Sequence, residues 1–254
     1  MAEPFSRRRL LGAGALGVGG LLLAGCDRLN RTPGFRTLLE SAEDAHLASQ
    51  RLIGGGALAP EFTTRDLSPD FRANGSRTAA GNTAWDAHIA TGFRDWTLRI
   101  DGLVLRPLDL SLEALKGLPQ RSQITKHDCV EGWSAIGKWQ GPLLGDILKT
   151  AGINDRAKYI VFHCADDSNG APYYESIDLY DAFHPQTIMA LLMNNKRLEI
   201  GHGAPIRLRA ERHLGYKQAK FVMRIEARDR IDNLYAGKGG YWEDASDYAW
   251  YAGI

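Results

Sequence analysis

Cys129 is the residue of this 254-residue chain whose surroundings most suggest chemistry, and it stands in the run HDCVEGWS at positions 127–134. His127, Asp128 and Glu131 flank the thiol, and nearby charges decide whether a cysteine sulfur is ionised. A thiolate is the ligand that soft metals select. The run therefore indicates a soft-metal ligand or a reactive thiolate, and the plainer alternative is a buried structural cysteine or half of a disulfide.

The N-terminus has the pattern of an export signal. Residues 6–11 read SRRRLL and precede a short, glycine-rich apolar stretch that reaches Gly25. A basic segment followed by an apolar one is typical of export signals, and paired arginines before it are typical of the twin-arginine route. We therefore predict a twin-arginine signal over residues 1–25, with an ordinary signal or a membrane anchor as alternatives. Because that route exports folded proteins, often with a cofactor already inserted, a cofactor is to be sought downstream.

Cys26 is a candidate for lipid attachment. The run LAGC that ends there resembles a bacterial lipobox, and a lipid would tether the domain to a membrane surface. Asp27 resembles the signal that retains some lipoproteins at the inner membrane, and the alternative is simple cleavage of the signal. If Cys26 carries lipid, Cys129 and Cys164 remain, and they either pair in an oxidising compartment or have separate roles.

The composition is that of an ordinary soluble globular protein, with 44% hydrophobic and 24% charged residues. The net charge of +1 gives no indication of nucleic-acid binding. We predict an export signal at 1–25, a tether with an approach helix at 26–60, and one domain at 61–254. The helix should occupy 36–53, because three glycines follow it, and residues 61–92 should form long loops.

Short strands and short helices alternate after residue 95, which predicts a mixed α+β fold. Alternating residues from Trp96 onward, followed by Asp101 and Gly102, predict a hairpin. Ser111 suits a helix N-cap and Gly152 a helix C-terminus. The further predicted strands are 123–127, 158–163, 205–210 and 220–227, the predicted helices are 110–118 and 143–151, and short pieces are expected at 179–183 and 187–194.

A basic segment framed by glycines follows residue 200. Strand alternation places Arg207 and Arg209 on one face and Ile206 and Leu208 on the other. Arginine, and Lys220 further along, suit a phosphate group. The more common alternative for such a pattern is a solvated basic face of a strand.

Taken together, these segments resemble the sulfite oxidase family of molybdopterin oxidoreductases, and most closely its exported, haem-free bacterial members. The resemblance covers the chain from about Phe71 to Ile231. Its motifs are HDCVEGWS at 127–134, HPQT at 184–187, and GAPIRLR at 203–209 leading to GYKQAK at 215–220. The implied fold is the sulfite oxidase-type molybdopterin-binding fold, with mixed sheets and short helices.

The resemblance implies a molybdenum–molybdopterin cofactor with the Cys129 thiolate as the protein's metal ligand, so no disulfide to Cys164 is expected. His202 stands where the exported methionine sulfoxide reductases of the family have asparagine, which argues against methionine sulfoxide as substrate. The Cys129 loop lacks the arginine-rich signature of sulfite oxidases, which argues against sulfite because that oxyanion needs a cationic pocket. The residues that match cofactor-binding positions or stand among them are Asn74, Arg77, Thr78, Cys164, His202, Arg207, Gln218, Ala219 and Lys220.

The implied activity is two-electron oxo transfer on a small sulfur or other oxo compound, with a membrane cytochrome b or a soluble cytochrome c as electron partner. Glu131 and Asp128 are candidates for proton handling, although Glu131 would serve equally well as a hydrogen-bond partner that fixes the loop. Asp166 and Asp167 either line the mouth of the site or belong to a solvated loop. The aromatic tail at 239–251 either docks the partner or packs on the domain.

No haem is expected on this chain, because it has neither a cytochrome b5-like segment nor a Cys-x-x-Cys-His motif. Two other functions remain as alternatives. One is a metal-free thiol enzyme in which His127 activates Cys129. The other is a non-catalytic lipoprotein that uses the same fold as a binding module.

Overall fold

The computed structural model describes residues 32–168 and 170–254, so the predicted export signal and lipobox lie outside the described residues. The chain divides into two compact units, one ending at Gly55 and one beginning at Gly56. The described part of the first unit is helix α1, Pro33–Gly54, which confirms the helix predicted at 36–53. Proline suits its first turn because the N–H groups there have no partner within the helix. None of the described helices has the length and hydropathy to cross a bilayer.

The second unit combines short helices with mixed sheets, so the predicted α+β class is confirmed. Its described helices are α2 Thr83–Ala90, α3 Leu112–Gly117, α4 Leu144–Ala151, α5 Leu179–Ala182 and α6 Tyr241–Ser246. Its described strands are β1 Thr97–Gly102, β2 Leu108–Ser111, β3 Gln120–Asp128, β4 Ser134–Pro142, β5 Tyr159–Ser168, β6 Ala171–Asp178, β7 Ile188–Ala190, β8 Leu192–Met193, β9 Lys196–Arg197, β10 Arg207–Arg209 and β11 Val222–Arg228.

Three sheets organise these strands. The largest has the order β2-β1-β11-β5-β6, in which only the β1–β11 pair is parallel. A second sheet has the order β3-β4-β8-β9, and β7 pairs with β10. In the long β3–β4 hairpin Asp128 lies opposite Ser134, so the loop at 129–133 that carries the candidate thiol projects from the end of two paired strands.

The main core lies between the five-stranded sheet and α4. Alternate residues of β1 face it, and Leu98 and Ile100 are fully buried. On α4 the residues at 144, 147, 148 and 151 are also fully buried, because this spacing places them on one helical face. Burial of this apolar surface holds the sheet that carries the site in place.

The HPQT motif at 184–187 ties an extended segment to the domain. The His184 ring contacts the Ala57 carbonyl at 3.2 Å, and the Gln186 side-chain amide donates to the Ala59 carbonyl at 3.0 Å. The Thr187 hydroxyl donates to the Asp181 carbonyl at 2.6 Å. Two of these three hydrogen bonds join the motif to residues 57–59. The motif therefore holds that extended segment against the domain.

Two local predictions differ from the structure. Residues 61–92 are not loops throughout, because α2 forms there with Asn82 as its N-cap and Trp85 fully buried. The hairpin does not turn tightly at Gly102, because five residues separate β1 from β2. The predicted caps are confirmed, since Ser111 accepts from the Ala114 amide and Gly152 ends α4 with a φ of +73°.

We expect Gly141→Ala to destabilise the domain by about 3 kcal/mol, because a Cβ there would clash with the Met189 carbonyl oxygen where β4 passes β7. Urea unfolding monitored by fluorescence measures the change. Gly117→Ala is the matched control, because a Cβ at that position meets nothing within 4 Å. Equal stabilities for the two variants would show that β4 and β7 are not packed this closely.

Candidate functional site

A cleft of about 350 Å³ opens beside the 129–133 loop. Four parts of the second unit form it: this loop, the segment at 74–76, the ends of β5 and β6, and the segment at 215–220. Side chains from the C-terminal region complete the wall. The lining residues are Asn74, Gly75, Ser76, Cys129, Val130, Glu131, Asp166, Ser168, Tyr173, Gly215, Tyr216, Gln218, Lys220, Trp242 and Tyr248.

Cys129 lines the cleft at the start of a tight loop. Its amide donates to the Trp133 carbonyl at 2.9 Å, and the Gly132 amide donates back to the Cys129 carbonyl at 3.0 Å. Gly132 adopts a φ of +86°, which favours glycine and closes the turn. The residue is buried, with 8% of its surface exposed. These hydrogen bonds therefore fix the backbone of the loop that carries the sulfur.

The environment of Cys129 keeps its thiol protonated. Burial raises the pKa of Cys129, and the charge of Glu131 adds to the increase, while the Glu131 amide, Arg72 and the Asn74 side chain partly offset it. A metal would replace the proton and stabilise the thiolate directly. The site therefore favours a metal ligand over a freely reactive thiolate.

Cys164 lies on β5 opposite Val222 and packs partly against the main core. Burial and the charges of Asp166 and Glu175 raise the pKa of Cys164 well above its usual value. Both Cys129 and Cys164 are free thiols, so the disulfide alternative is wrong.

Lys220 reaches across the cleft to the cofactor loop predicted near Asn74. Its ammonium donates to the Asn74 carbonyl at 2.5 Å and to the Ser76 carbonyl, and it lies 3.4 Å from the Gly201 carbonyl. Burial and the charge of Arg207 lower the pKa of Lys220 to about 7. This cation has carbonyl partners in place of a carboxylate, so an anion in the cleft would raise its pKa and strengthen its binding.

Arg207 and Arg209 are almost fully buried, so the solvated basic face is wrong. The Arg207 guanidinium donates to the carbonyls of His202 at 3.0 Å and Gln218 at 3.2 Å. Both guanidinium groups lie over the Trp139 ring, at 5.2 and 4.4 Å from its centroid. Burial and the neighbouring Arg209 lower the pKa of Arg207 to about 9. The basic segment thus places positive charge inside the domain, behind the cleft.

His127 lies beside these cations in neutral form. Arg209 contacts the Nδ1 atom of His127 at 2.9 Å and forms an ion pair with Glu211. Burial and the surrounding positive charges lower the pKa of His127 well below its usual value. Because an arginine donates to Nδ1, that atom cannot take a proton from Cys129, which argues against the thiol-enzyme alternative.

Gln218 and Ala219 make their hydrogen bonds within the protein. The Gln218 side chain is occupied inside the protein, donating to the Ala210 and His213 carbonyls and accepting from the Ala210 amide. Ala219 is fully buried, and its amide donates to the Lys217 carbonyl at 3.0 Å. Of the two, only Gln218 lines the cleft.

The other predicted cofactor residues lie around the cleft without lining it. The His202 ring contacts the Phe71 carbonyl at 2.8 Å and thereby supports the segment leading to Asn74. Arg77 and Thr78 are exposed, and the Thr78 hydroxyl accepts from the Ala80 amide at 3.1 Å. These placements do not test a role in cofactor binding, which remains a prediction for each of them.

The two candidates for proton handling separate in the structure. Glu131 lines the cleft and accepts a hydrogen bond from the Trp133 indole N–H at 3.0 Å. Asp128 forms an ion pair with Lys126 at 3.0 Å and is absent from the lining. Glu131 is therefore the better placed of the two.

Asp166 and the aromatic wall are the parts of the cleft to which sequence reasoning gave little weight. Asp166 is 4% exposed, and burial raises its pKa to about 6. Its Oδ1 atom has no hydrogen-bond partner among the described residues. Asp167, in contrast, is exposed. The wall consists of Tyr173, Tyr216, Trp242 and Tyr248. The only sequence signal for the last two was the aromatic content of the tail.

The residues present fit an anionic, sulfur-liganded group. The cleft offers one fixed thiol, a buried lysine of lowered pKa, and Arg207 behind it with an unpartnered Nε atom. A buried surplus of cations favours an anion such as a phosphate, and a thiolate favours a soft metal. Molybdenum held by a pterin with a phosphate group combines both properties.

Comparison with known proteins points to the same cofactor. A family model described as an oxidoreductase molybdopterin binding domain matches residues 86–235. A protein of Azospira oryzae, provisionally named protein-methionine-sulfoxide reductase subunit YedZ1, is 37% identical over 222 residues, which cover 84% of this chain and 78% of that protein. The protein-methionine-sulfoxide reductase catalytic subunit MsrP of Xanthomonas campestris pv. campestris is 28% identical, over 98% of this chain and 76% of its own length.

Among solved structures, the sulfane dehydrogenase SoxCD from Paracoccus pantotrophus superposes with a TM-score of 0.52 at 19% identity. The match covers 72% of this chain and 48% of that chain, so this chain spans about half of its length. At this identity the likeness concerns the fold alone.

We expect Cys129 in cofactor-free protein to react slowly with iodoacetamide at pH 7 and faster as the pH rises beyond 9, because its pKa is raised. Cys164 should react more slowly still, since its pKa is raised further by burial. Mass spectrometry of the modified peptides measures both rates, and Cys129→Ser identifies the faster one. Rapid modification of Cys129 at pH 7 would instead support the reactive-thiolate alternative.

Proposed function

Because the chain belongs to the molybdopterin-binding oxidoreductase family, we propose that it is an exported molybdenum enzyme that transfers an oxygen atom to or from a small, uncharged sulfur compound. The observation that carries the proposal is the cleft itself, which the thiol of Cys129 and the buried side chain of Lys220 both line. When bound, the molybdenum–pterin cofactor supplies two-electron oxo transfer, and the protein supplies binding, orientation and electrostatics.

The chain's own residues divide this work. Cys129 would hold the metal through its sulfur. Lys220 and Arg207 would bind the anionic part of the cofactor, and the carbonyls that already hold them fix their positions. Asn74 would keep the cofactor loop against the thiol, because its carbonyl holds Lys220 and its side chain contacts Cys129.

The outer wall of the cleft suits an uncharged substrate. Tyr216, Trp242 and Tyr248 form it, and among the described residues that line the cleft the one cationic side chain is that of Lys220, which is held by carbonyl groups. A sulfite ion would need exposed cations, whereas a sulfoxide or thioether packs well on aromatic rings. Two relatives are named protein-methionine-sulfoxide reductases, which supports a sulfoxide as substrate.

His202 no longer argues against such a substrate. The structure places its ring on the Phe71 carbonyl and outside the lining of the cleft. The replacement of asparagine by histidine at this position therefore concerns support of the cofactor loop more than substrate choice.

Reduction of a sulfoxide to a sulfide takes up two electrons and two protons and releases one water molecule. Glu131 is placed to pass protons to the cleft, because it lines the opening and is itself exposed to solvent. Asp128 is paired with Lys126 and would have a secondary part.

The electrons would come from a membrane cytochrome b or a soluble cytochrome c, in the periplasm. The support for this location is the twin-arginine pattern at 6–11, and the LAGC run ending at Cys26 supports a lipid tether to the inner membrane. The aromatic side chains at 239–251 reach the cleft wall, and the outer side of that segment is the proposed docking surface for the cytochrome.

Protein purified from a molybdenum-replete host should contain close to one molybdenum and one pterin per chain, and Cys129→Ser should lose most of the metal. The reason is that Cys129 is the proposed ligand from the protein. Elemental analysis and pterin fluorescence measure both contents. Cys26→Ser is the matched control and should keep the metal. A wild-type protein free of molybdenum would refute the proposed function.

With a reduced dye as electron donor for sulfoxide reduction and an oxidised dye as acceptor for sulfite oxidation, kcat/KM for an uncharged sulfoxide should exceed that for sulfite by on the order of a hundredfold, because Lys220, the cation among the described lining residues, is already held by carbonyl groups. Steady-state assays with methionine sulfoxide, dimethyl sulfoxide and sulfite measure the ratio. Faster turnover of sulfite would contradict the assignment of an uncharged substrate while leaving the cofactor in place.

A further inference from the structure

Three buried ionisable side chains meet directly behind the wall of the cleft: Glu175 on β6, Lys217 in the turn at 215–217, and Glu243 on α6. Each side chain is at most 1% exposed. The Lys217 ammonium lies 2.7 Å from Glu175 Oε2 and 2.5 Å from Glu243 Oε1. We call this group the Glu–Lys–Glu triad. None of its members is among the residues predicted to bind the cofactor.

The charges of the triad balance only if it holds a proton. Two carboxylates and one ammonium would leave one negative charge in the interior, which is unfavourable without a partner. Among the described residues, neither oxygen of Glu175 nor Oε2 of Glu243 receives a well-aligned hydrogen bond. A Cβ at Gly240 would clash with Glu175 Oε1 and with Glu243 Oε2, so these two oxygens face the same glycine. A proton between the two carboxyl groups would provide the missing hydrogen bond.

The electrostatics agree with a shared proton. Burial, together with the Glu243 carboxylate, raises the pKa of Glu175 well above its usual value. The two carboxyl groups outweigh burial at Lys217 and raise its pKa, so the lysine stays charged. The neutral form of the triad is one ammonium, one carboxylate and one carboxylic acid.

Each member of the triad adjoins a residue that lines the cleft. Tyr173 lies on the same face of β6 as Glu175, and its hydroxyl donates to the Tyr216 carbonyl at 2.9 Å. Tyr216 precedes Lys217, and Trp242 precedes Glu243. The triad is therefore connected to the wall of the cleft through residues next to, or on the same strand face as, each of its members.

Charge in the cleft and charge in the triad influence each other. The charges of Glu175, Cys164, Asp166 and Glu243 all contribute to raising the pKa of Tyr173, and the charge of Glu175 contributes to raising that of Cys164. The titratable and charged groups that face the triad from the surrounding elements are Cys164 and Asp166 on β5, Tyr173 and Tyr174 on β6, Tyr216 in the turn, and Asp244 on α6.

We propose that the Glu–Lys–Glu triad holds one exchangeable proton, and that electron uptake in the cleft draws a second proton into it. The proposal rests on the proposed function, in which a cytochrome supplies two electrons and solvent supplies two protons for each sulfoxide reduced to sulfide and water. An electron arriving in the cleft adds negative charge, and the remaining carboxylate then binds a proton more strongly. Glu175 and Glu243 do not line the cleft, so they act on the bound group through the protons they hold and not by direct contact.

The pH dependence of the molybdenum midpoint potential tests the coupling. A one-electron, one-proton couple shifts by about 59 mV for each tenfold change in proton concentration. We expect the wild-type potential to fall as the pH rises from 6 to 9, and this slope to become smaller in Glu175→Gln and Glu243→Gln. Glu113→Gln is the control, because this exposed carboxylate on α3 pairs only with nearby surface cations. A purely structural triad would leave the slope unchanged in all variants, and that result would overturn the proposal.

Unfolding of the cofactor-free full-length protein tests the shared proton independently. Because the pKa of Glu175 is raised in the folded state, its stabilising contribution is complete below the pKa of an unfolded glutamate and is lost as the pH rises through the raised value. Wild type should therefore lose stability with rising pH relative to Glu175→Gln, which retains the neutral Lys217–Glu243 pair. Equal slopes would exclude the shared proton. Absence of molybdenum would refute the proposed function, while this measurement would still decide whether the triad shares a proton.

Discussion

The burial of three cations beside one thiol is the constraint on which the rest of the site depends. Lys220, Arg207 and Arg209 are each at most 8% exposed. A buried charge is unfavourable unless hydrogen bonds replace the water it loses. Here the replacements come largely from backbone carbonyls of segments far apart in sequence, at Asn74, His202 and elsewhere. The cations therefore bring the cofactor loop, the 3-10 turn near residue 201 and the 215–220 segment to one place.

The cations differ in how completely they are neutralised. Arg209 pairs with the carboxylate of Glu211, but Arg207 and Lys220 have only uncharged hydrogen-bond partners among the described contacts. Burial, and after it the charge of a neighbouring arginine, lowers their pKa values to about 9 and about 7. A bound anion would reverse this penalty, so these two cations favour the binding of an anionic cofactor.

Much of the site could be predicted from sequence because its signals are local. Cys129 lies in a short loop between two strands, and both the loop and the strands are visible in the pattern of residues 120–142. The aromatic wall was not predictable, because Trp242 and Tyr248 reach the cleft only after the chain has crossed the whole domain. The burial of Arg209 was not predicted either. Strand alternation shows which face of the strand carries Arg209, but it does not show that Glu211 and Trp139 cover that side chain.

The position of Asp128 was also not predictable from the sequence, although it is adjacent to Cys129. Sequence proximity to Cys129 made Asp128 and Glu131 equivalent candidates for proton handling. The strand, however, continues through Asp128 and directs its carboxylate toward Lys126, while the turn after Cys129 carries Glu131 to the cleft. The end of strand β3, and not the distance along the chain from Cys129, therefore decides which of the two carboxylates lines the cleft.

Arg209, one of the three buried cations, also determines whether Cys129 is suited to nucleophilic catalysis or to metal binding. A cysteine nucleophile needs a neighbouring base, and the thiol-enzyme alternative assigns that role to His127. Arg209 donates to the Nδ1 atom of that ring, and the positive charges around it disfavour the imidazolium that proton transfer would form. Cys129 is left with a raised pKa, and His127 is not available as its base, which is a poor arrangement for nucleophilic catalysis. It is a suitable arrangement for a metal ligand, because coordination itself stabilises the thiolate and the protein need only fix the sulfur in place.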